Sequence, residues 1–312
     1  MKDNLLKIFG IFILVYLLQK VDISLIWSHI KGCNQFLLLA ALLLEISCVI
    51  FKSMKWRLIL NSLKIDAGFT ESLCAYWSGL YFAAITPGKV GDISRVYFLK
   101  HNKTIGRPVF SVILDRLTDV FSLLLLGLAV SFFYLKELSR LSSLLFILLL
   151  VLILSVWVIF LKRDFFYQVF KKIMHKFALK NRIPLKENLE LGVLKTIKAK
   201  DYFLIFMYIL AGWLVYFIGW WFLIKALHIN ISFFNTVGAV SIATIVSLIP
   251  ISISGLGTRD AAVVFIFSKI YLTKDAALSF SLMIFAIEIF IVCLGIVFFL
   301  KVNRKISLNT NV

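Results

Sequence analysis

Thr86-Pro87-Gly88-Lys89-Val90-Gly91-Asp92-Ile93-Ser94-Arg95 breaks an apolar segment in the first half of the chain, and Pro250-Ile251-Ser252-Ile253-Ser254-Gly255-Leu256-Gly257-Thr258-Arg259-Asp260 breaks another in the second half. A helix cannot run unbroken through either stretch. Proline lacks the N–H and clashes with the preceding turn, and glycine readily leaves helical dihedrals. In a bilayer the backbone groups freed at such a break must be satisfied by protein or by a watery cavity. Paired Pro/Gly interruptions in two halves of a chain therefore point to the binding site of a transporter.

Composition supplies the bilayer. Of 312 residues, 61% are apolar and only 16% charged, and mean hydropathy is +0.97. The net charge of +18 comes from short basic clusters beside long apolar runs, which is the positive-inside pattern and not a nucleic-acid stripe. Cys33, Cys48, Cys74 and Cys293 are scattered without metal-ligand spacing and read as small core hydrophobes. The N-terminal run from Leu5 to Leu18 resembles a signal peptide without a small-residue cleavage site, so we expect it to be a retained first span.

At about 20 residues per crossing, further spans are expected at 36–51, 109–135, 144–161, 202–224 and 276–300. Lys52, Lys55 and Arg57 are expected to close the second span. Residues 72–88 and 226–258 contain no Asp, Glu, Lys or Arg and form two re-entrant hairpins. Residues 162–200 hold eleven Lys or Arg against Asp164, Glu187 and Glu190. This stretch is expected to be cytoplasmic and to lie on an anionic membrane surface. Threading from a cytoplasmic N-terminus gives two oppositely oriented units. The expectation is an all-α integral membrane protein, one polytopic domain over 1–312, with about six spans and two Pro/Gly-broken hairpins in an inverted-topology repeat. Repeat 1 covers about 36–135 and repeat 2 about 202–300, and both termini face the cytoplasm.

The chemistry at the breaks suits a lipid head group. Half-helix N-termini offer free N–H groups and partial positive charge to a phosphate, and Lys89, Arg95 and Arg259 add full cations. Asp92 and Asp260 would hold the arginines in the empty site or bind an ammonium. Pro87, Gly88, Gly91, Pro250, Gly255 and Gly257 would line the site. A capping role for the aspartates, beside arginines that snorkel to the interface, is the competing reading. Glu45 and Glu288 lie mid-span and are candidate proton or cation sites. Asp115, Arg116 and Asp119 read as an internal ion-pair cluster, and His29, His101, His175 and His228 as non-catalytic.

Lys55-Trp56-Arg57, Thr86-Pro87-Gly88 with Gly91-Asp92 and Arg95, and Pro250, Gly255-Leu256-Gly257, Arg259-Asp260 resemble the flippase-like membrane domain of lysylphosphatidylglycerol synthases and their stand-alone relatives. The resemblance covers nearly the whole chain. In bifunctional members a cytosolic aminoacyl-transferase domain charges the lipid and the membrane domain moves it. This chain is expected to be a stand-alone member, because it ends twelve residues after the last span. Where the family carries Glu after the glycines, this sequence has Asp92 and Asp260, which keep the charge but shorten its reach.

The expected function is movement of an anionic phospholipid, an aminoacylated lipid or a polyprenyl-phosphate-linked lipid across the cytoplasmic membrane. No catalytic residue, metal, cofactor or nucleic-acid partner is expected. There is no Asp-x-Asp metal motif for a glycosyltransferase and no nucleophile with its acid for a phosphatase. An accessory subunit of envelope glycolipid synthesis is the alternative, and a lipid-modifying membrane enzyme is a more distant one. Topology is checked by cysteine labelling in intact cells. A cysteine near Lys180 should stay unreactive to an impermeant reagent, whereas cysteines near Lys136 or Lys225 should react.

Overall fold

The computed structural model describes residues 23–99, 106–134, 143–144, 146–151, 199–249, 252, 255–270 and 272–309. Span 1, the basic stretch 162–198 and Pro250 lie outside these residues, as does most of span 4. The described chain is helical: α1 (Ile23–Lys31), α2 (Gln35–Ser62), α3 (Phe69–Ile85), a 3-10 helix (Pro87–Phe98), α4 (Gly106–Tyr134), α5 (Ala199–Ala226), α6 (Phe233–Leu248), α7 (Thr258–Lys269) and α8 (Lys274–Asn309). Three of these helices are long and apolar enough to cross a membrane, namely Gln35–Ser62, Lys200–Ala226 and Lys274–Gly295.

Local chemistry sets the helix ends. Asn34 starts α2 by accepting the backbone N–H groups of Phe36 (3.0 Å) and Leu37 (3.2 Å), as a capping side chain does. Ser232 starts α6 in the same way through the N–H of Asn235 (3.2 Å). Thr86 stops α3, and Pro87 opens the 3-10 helix at its first position, where its missing N–H costs nothing. Gly255 and Gly257 take φ of 74° and 80°, a left-handed backbone that a Cβ disfavours.

Helix α2 departs from the sequence expectation. Its basic residues do not close it, and it runs through Lys52, Lys55 and Arg57 to Ser62. The reason is that these charges face protein. Lys55 is 1% exposed and its ammonium reaches Asp115 (2.9 Å) and Asp119 (2.6 Å) on α4. Lys52 lies over the rings of Trp213 (4.2 Å) and Tyr216 (5.0 Å) on α5.

The two halves pack in a pattern that survives their exchange. Helix α2 lies along α5, α3 packs against α8, and α6 packs against α4. Swapping α2, α3, α4 for α5, α6, α8 turns the second of these contacts into the third. Small residues permit the close approaches. A Cβ at Gly295 of α8 would stand 2.6 Å from the Trp77 carbonyl, and Trp77 Nε1 donates to the Ile291 carbonyl across the same contact (2.8 Å). Close backbone approach at small residues is how helices associate where lipid removes the hydrophobic drive.

The first hairpin is fixed by a chain of buried charges. Arg95 donates to Asp92 (2.8 Å) on its own 3-10 helix and to Asp115 (2.8 Å) on α4, with Trp56 and Tyr76 each 4.7 Å from its guanidinium. Asp115 also holds Lys55, and Asp92 also accepts from Arg116. Helices α2 and α4 and the 3-10 helix are thereby tied through one alternating set of cations and carboxylates. Removing one member of a buried ion pair costs about 3–5 kcal/mol, because the other charge is left uncompensated. Lys55→Met should therefore destabilise the purified protein by that order, read as a lowered thermal midpoint in detergent. Lys55→Met with Asp119→Asn should recover part of the loss.

Candidate functional site

A cavity of about 190 Å³ lies between the two halves. Its wall takes Glu45 and Lys52 from α2, Lys89 from the 3-10 helix, Arg116 and Asp119 from α4, and Glu288 from α8. These are three cations and three carboxylates. Between them stand the aromatic faces of Tyr76, Trp213, Tyr216, Trp220 and Phe285. Tyr216 and Thr244 share a hydrogen bond of 3.1 Å across α5 and α6. The wall therefore offers charges of both signs on an apolar frame.

Lys89 reaches this wall from the break itself. Its φ of 57° lies in the left-handed region, where a residue with a side chain is strained. Thr86 supports the turn, since its hydroxyl accepts the Gly91 N–H (2.7 Å) and donates to the Phe82 carbonyl (2.9 Å). Gly91 has no room for a side chain, because a Cβ there would collide with the Phe82 carbonyl. Among the described residues Lys89 forms no ion pair.

The second break is organised around Asp260. One carboxylate oxygen accepts the Gly257 N–H (2.8 Å), which caps α7. The other accepts from the Ser281 hydroxyl of α8 and lies 3.4 Å from Arg259. Capping and ion pairing, the two roles weighed for this residue, coexist in one side chain. Arg259 also donates to Glu288 (2.6 Å) and to the Ser281 carbonyl (3.3 Å). Ser252 and Thr258 share a hydrogen bond of 2.7 Å that closes the loop.

The candidate residues thus fall into two groups. Lys89, Glu45 and Glu288 reach the cavity wall. Asp92, Arg95, Arg259 and Asp260 are buried in ion pairs behind it, none more than 3% exposed. The two arginines touch the cavity through others: Arg95 shares Asp92 with Arg116, and Arg259 holds Glu288. Gly91, Gly255 and Gly257 shape the turns without lining the cavity.

Sequence reasoning did not assign Lys52, Arg116 or Asp119 to this wall. Lys52 follows Glu45 by seven positions, two helical turns on the same face, and that spacing was the available signal. Arg116 and Asp119 serve both the cluster and the cavity. Their dual role depends on which helix faces α4, and the charge triplet alone carries no such information.

Comparison with known proteins bears on the whole chain. It is 26% identical over 268 residues to a UPF0104 membrane protein of Archaeoglobus fulgidus, covering 79% of this chain and 80% of that protein. No solved structure matches it. Residues 4–295 match the family described as the lysylphosphatidylglycerol synthase TM region, and the chain belongs to that family of multi-pass membrane proteins.

Proposed function

We propose that this protein is a lipid flippase of the cytoplasmic membrane that passes an anionic head group through the cavity between its two halves. The observation that carries the reading is the cavity wall, where Lys52 and Lys89 stand without carboxylate partners among the described residues. The family is named for a synthase of a phospholipid, which supports a lipid as the cargo. Anionic phospholipids, aminoacylated lipids and polyprenyl-phosphate lipids all present the phosphate that two ammonium groups would hold.

The division of labour follows from burial. Lys89 and Lys52 bind the phosphate as point charges. Arg95 and Arg259 position the wall, the first by fixing the 3-10 helix that carries Lys89 and the second by holding Glu288. Asp92 and Asp260 neutralise those arginines and stabilise the two breaks. The acyl chains remain in the bilayer while the aromatic wall shields the head group in transit. In this reading the two broken segments are re-entrant and the halves have opposite orientation in the membrane, with both termini cytoplasmic. No covalent chemistry is assigned to the protein.

Reconstitution into vesicles with a fluorescent anionic lipid and a head-group quencher tests the proposal. A hydrogen bond to a charged group contributes about 1.5–3 kcal/mol, so Lys89→Gln and Lys52→Gln should each slow lipid movement about 10- to 100-fold. Both variants should remain folded, since neither lysine belongs to a buried ion pair. Unchanged movement in both variants at equal protein density would remove the head-group reading and favour an accessory-subunit role.

Arg259→Gln separates positioning from direct binding. It frees Glu288 to compete for the cavity lysines, so it should weaken lipid movement, and adding Glu288→Gln should restore part of it. Direct phosphate binding by Arg259 gives no such rescue, and the double variant then moves lipid no faster than Arg259→Gln.

A further inference from the structure

We propose that Glu45 is the proton-carrying group of the cavity, taking up a proton together with an anionic head group so that a proton gradient drives lipid movement. The inference rests on the reading above that the cavity receives such a head group. Glu45 sits in the length of α2, is 4% exposed and lines the cavity. Among the described residues it forms no ion pair, and its Oε1 accepts no hydrogen bond. The other two carboxylates of the wall are both held, Asp119 by Lys55 (2.6 Å) and Glu288 by Arg259 (2.6 Å).

The surrounding groups leave the charge of Glu45 uncommitted. On its own helix, Lys52 is turned over the rings of Trp213 and Tyr216, and the Cys48 thiol donates to the Gly212 carbonyl (3.5 Å). Helix α4 presents Arg116, which is joined to Asp92, alongside the paired Asp119. The 3-10 helix presents Lys89, and α8 presents Glu288. The remaining titratable neighbours are the phenols of Tyr76 on α3 and Tyr216 on α5, the latter bonded to Thr244. The carboxyl has a made place: a Cβ at Gly219 of α5 would stand 2.7 Å from Glu45 Oε1. Glycine leaves the notch that the acid occupies.

Charge balance supplies the coupling. Lys52, Lys89 and Arg116 offset Glu45, Asp119 and Glu288 when all are ionised. A proton on Glu45 leaves the wall with one positive charge in excess, and that state attracts an anion. By linkage, a bound anion draws the proton to Glu45 to the same extent. A singly charged lipid head group and its proton then cross as a neutral pair, which avoids carrying net charge through the low-dielectric interior. The proton enters the Glu45 carboxylate from water on one face and leaves to water on the other.

Calorimetric titration of the purified protein with dihexanoyl-phosphatidylglycerol, in two buffers of different ionisation enthalpy, counts the protons taken up on binding. Wild-type protein should take up protons as it binds, and its affinity should fall with rising pH by up to about tenfold per unit. Glu45→Gln should bind without proton uptake and with little pH dependence. Glu45→Asp keeps a carboxyl of shorter reach and should shift the pH of half-maximal uptake. Wild-type binding without proton uptake, uptake retained in Glu45→Gln, or an unshifted pH in Glu45→Asp would each overturn the proposal. Failure of wild-type protein to bind the lipid at any pH would overturn the head-group reading and this coupling together, whereas binding without proton exchange removes the coupling alone.

Discussion

An ion in an apolar interior is tolerated only beside its opposite, and that constraint organises this molecule. Asp115 is fully buried and is shared by Lys55 of α2 and Arg95 of the 3-10 helix. Neither cation could lie where it does without it, and Asp92 and Asp119 complete the neutralisation. The break at Pro87 is therefore held by specific electrostatic partners, which fix its position more narrowly than apolar contact alone would. Such clusters add little net stability over a well-packed apolar core. Their value lies in register, because the alternating signs fit one arrangement of the helices.

The second half solves the same problem with fewer groups. Arg259 corresponds to Arg95 as the buried arginine of a break, and Glu288 on α8 corresponds to Asp115 on α4. The difference lies in exposure. Asp115 is sealed, whereas the Glu288 side chain is 32% exposed and faces the cavity. One half thus supplies a closed brace and the other an ion pair that the cavity contents can reach. A shared arrangement has been put to two uses.

Much of this was legible in the residues. The breaks at Thr86-Pro87 and at Gly255-Leu256-Gly257 were visible because Pro and Gly act locally, and the apolar runs between them set the helices. The extension of α2 past Lys52 was not visible, since a lysine beside an apolar run looks the same whether it meets water or a buried carboxylate. The same blindness affected the arginines. Their place near the breaks could be read, but burial behind the wall depends on Asp115 and Glu288, 20 and 29 positions away in sequence. Glu45 was legible as an intramembrane acid. The notch at Gly219 that receives it belongs to another helix and could be found only in three dimensions.

The two return arms contain the same number of residues but not the same length. Pro87–Phe98 and Thr258–Lys269 are 12 residues each, the first a 3-10 helix and the second an α-helix. At about 2.0 Å per residue against about 1.5 Å, they reach about 24 Å and about 18 Å. A long 3-10 helix has poorer hydrogen-bond geometry than an α-helix, so the longer arm is also the one that rewinds more readily. Rewinding it would turn Asp92 and Arg95 away from Arg116 and Asp115, so the ion pairs that anchor this arm also hold it at its full length. The near-symmetric scaffold thereby acquires an asymmetry: two arms of equal residue count differ in length by about 6 Å, and buried charge holds the longer one extended.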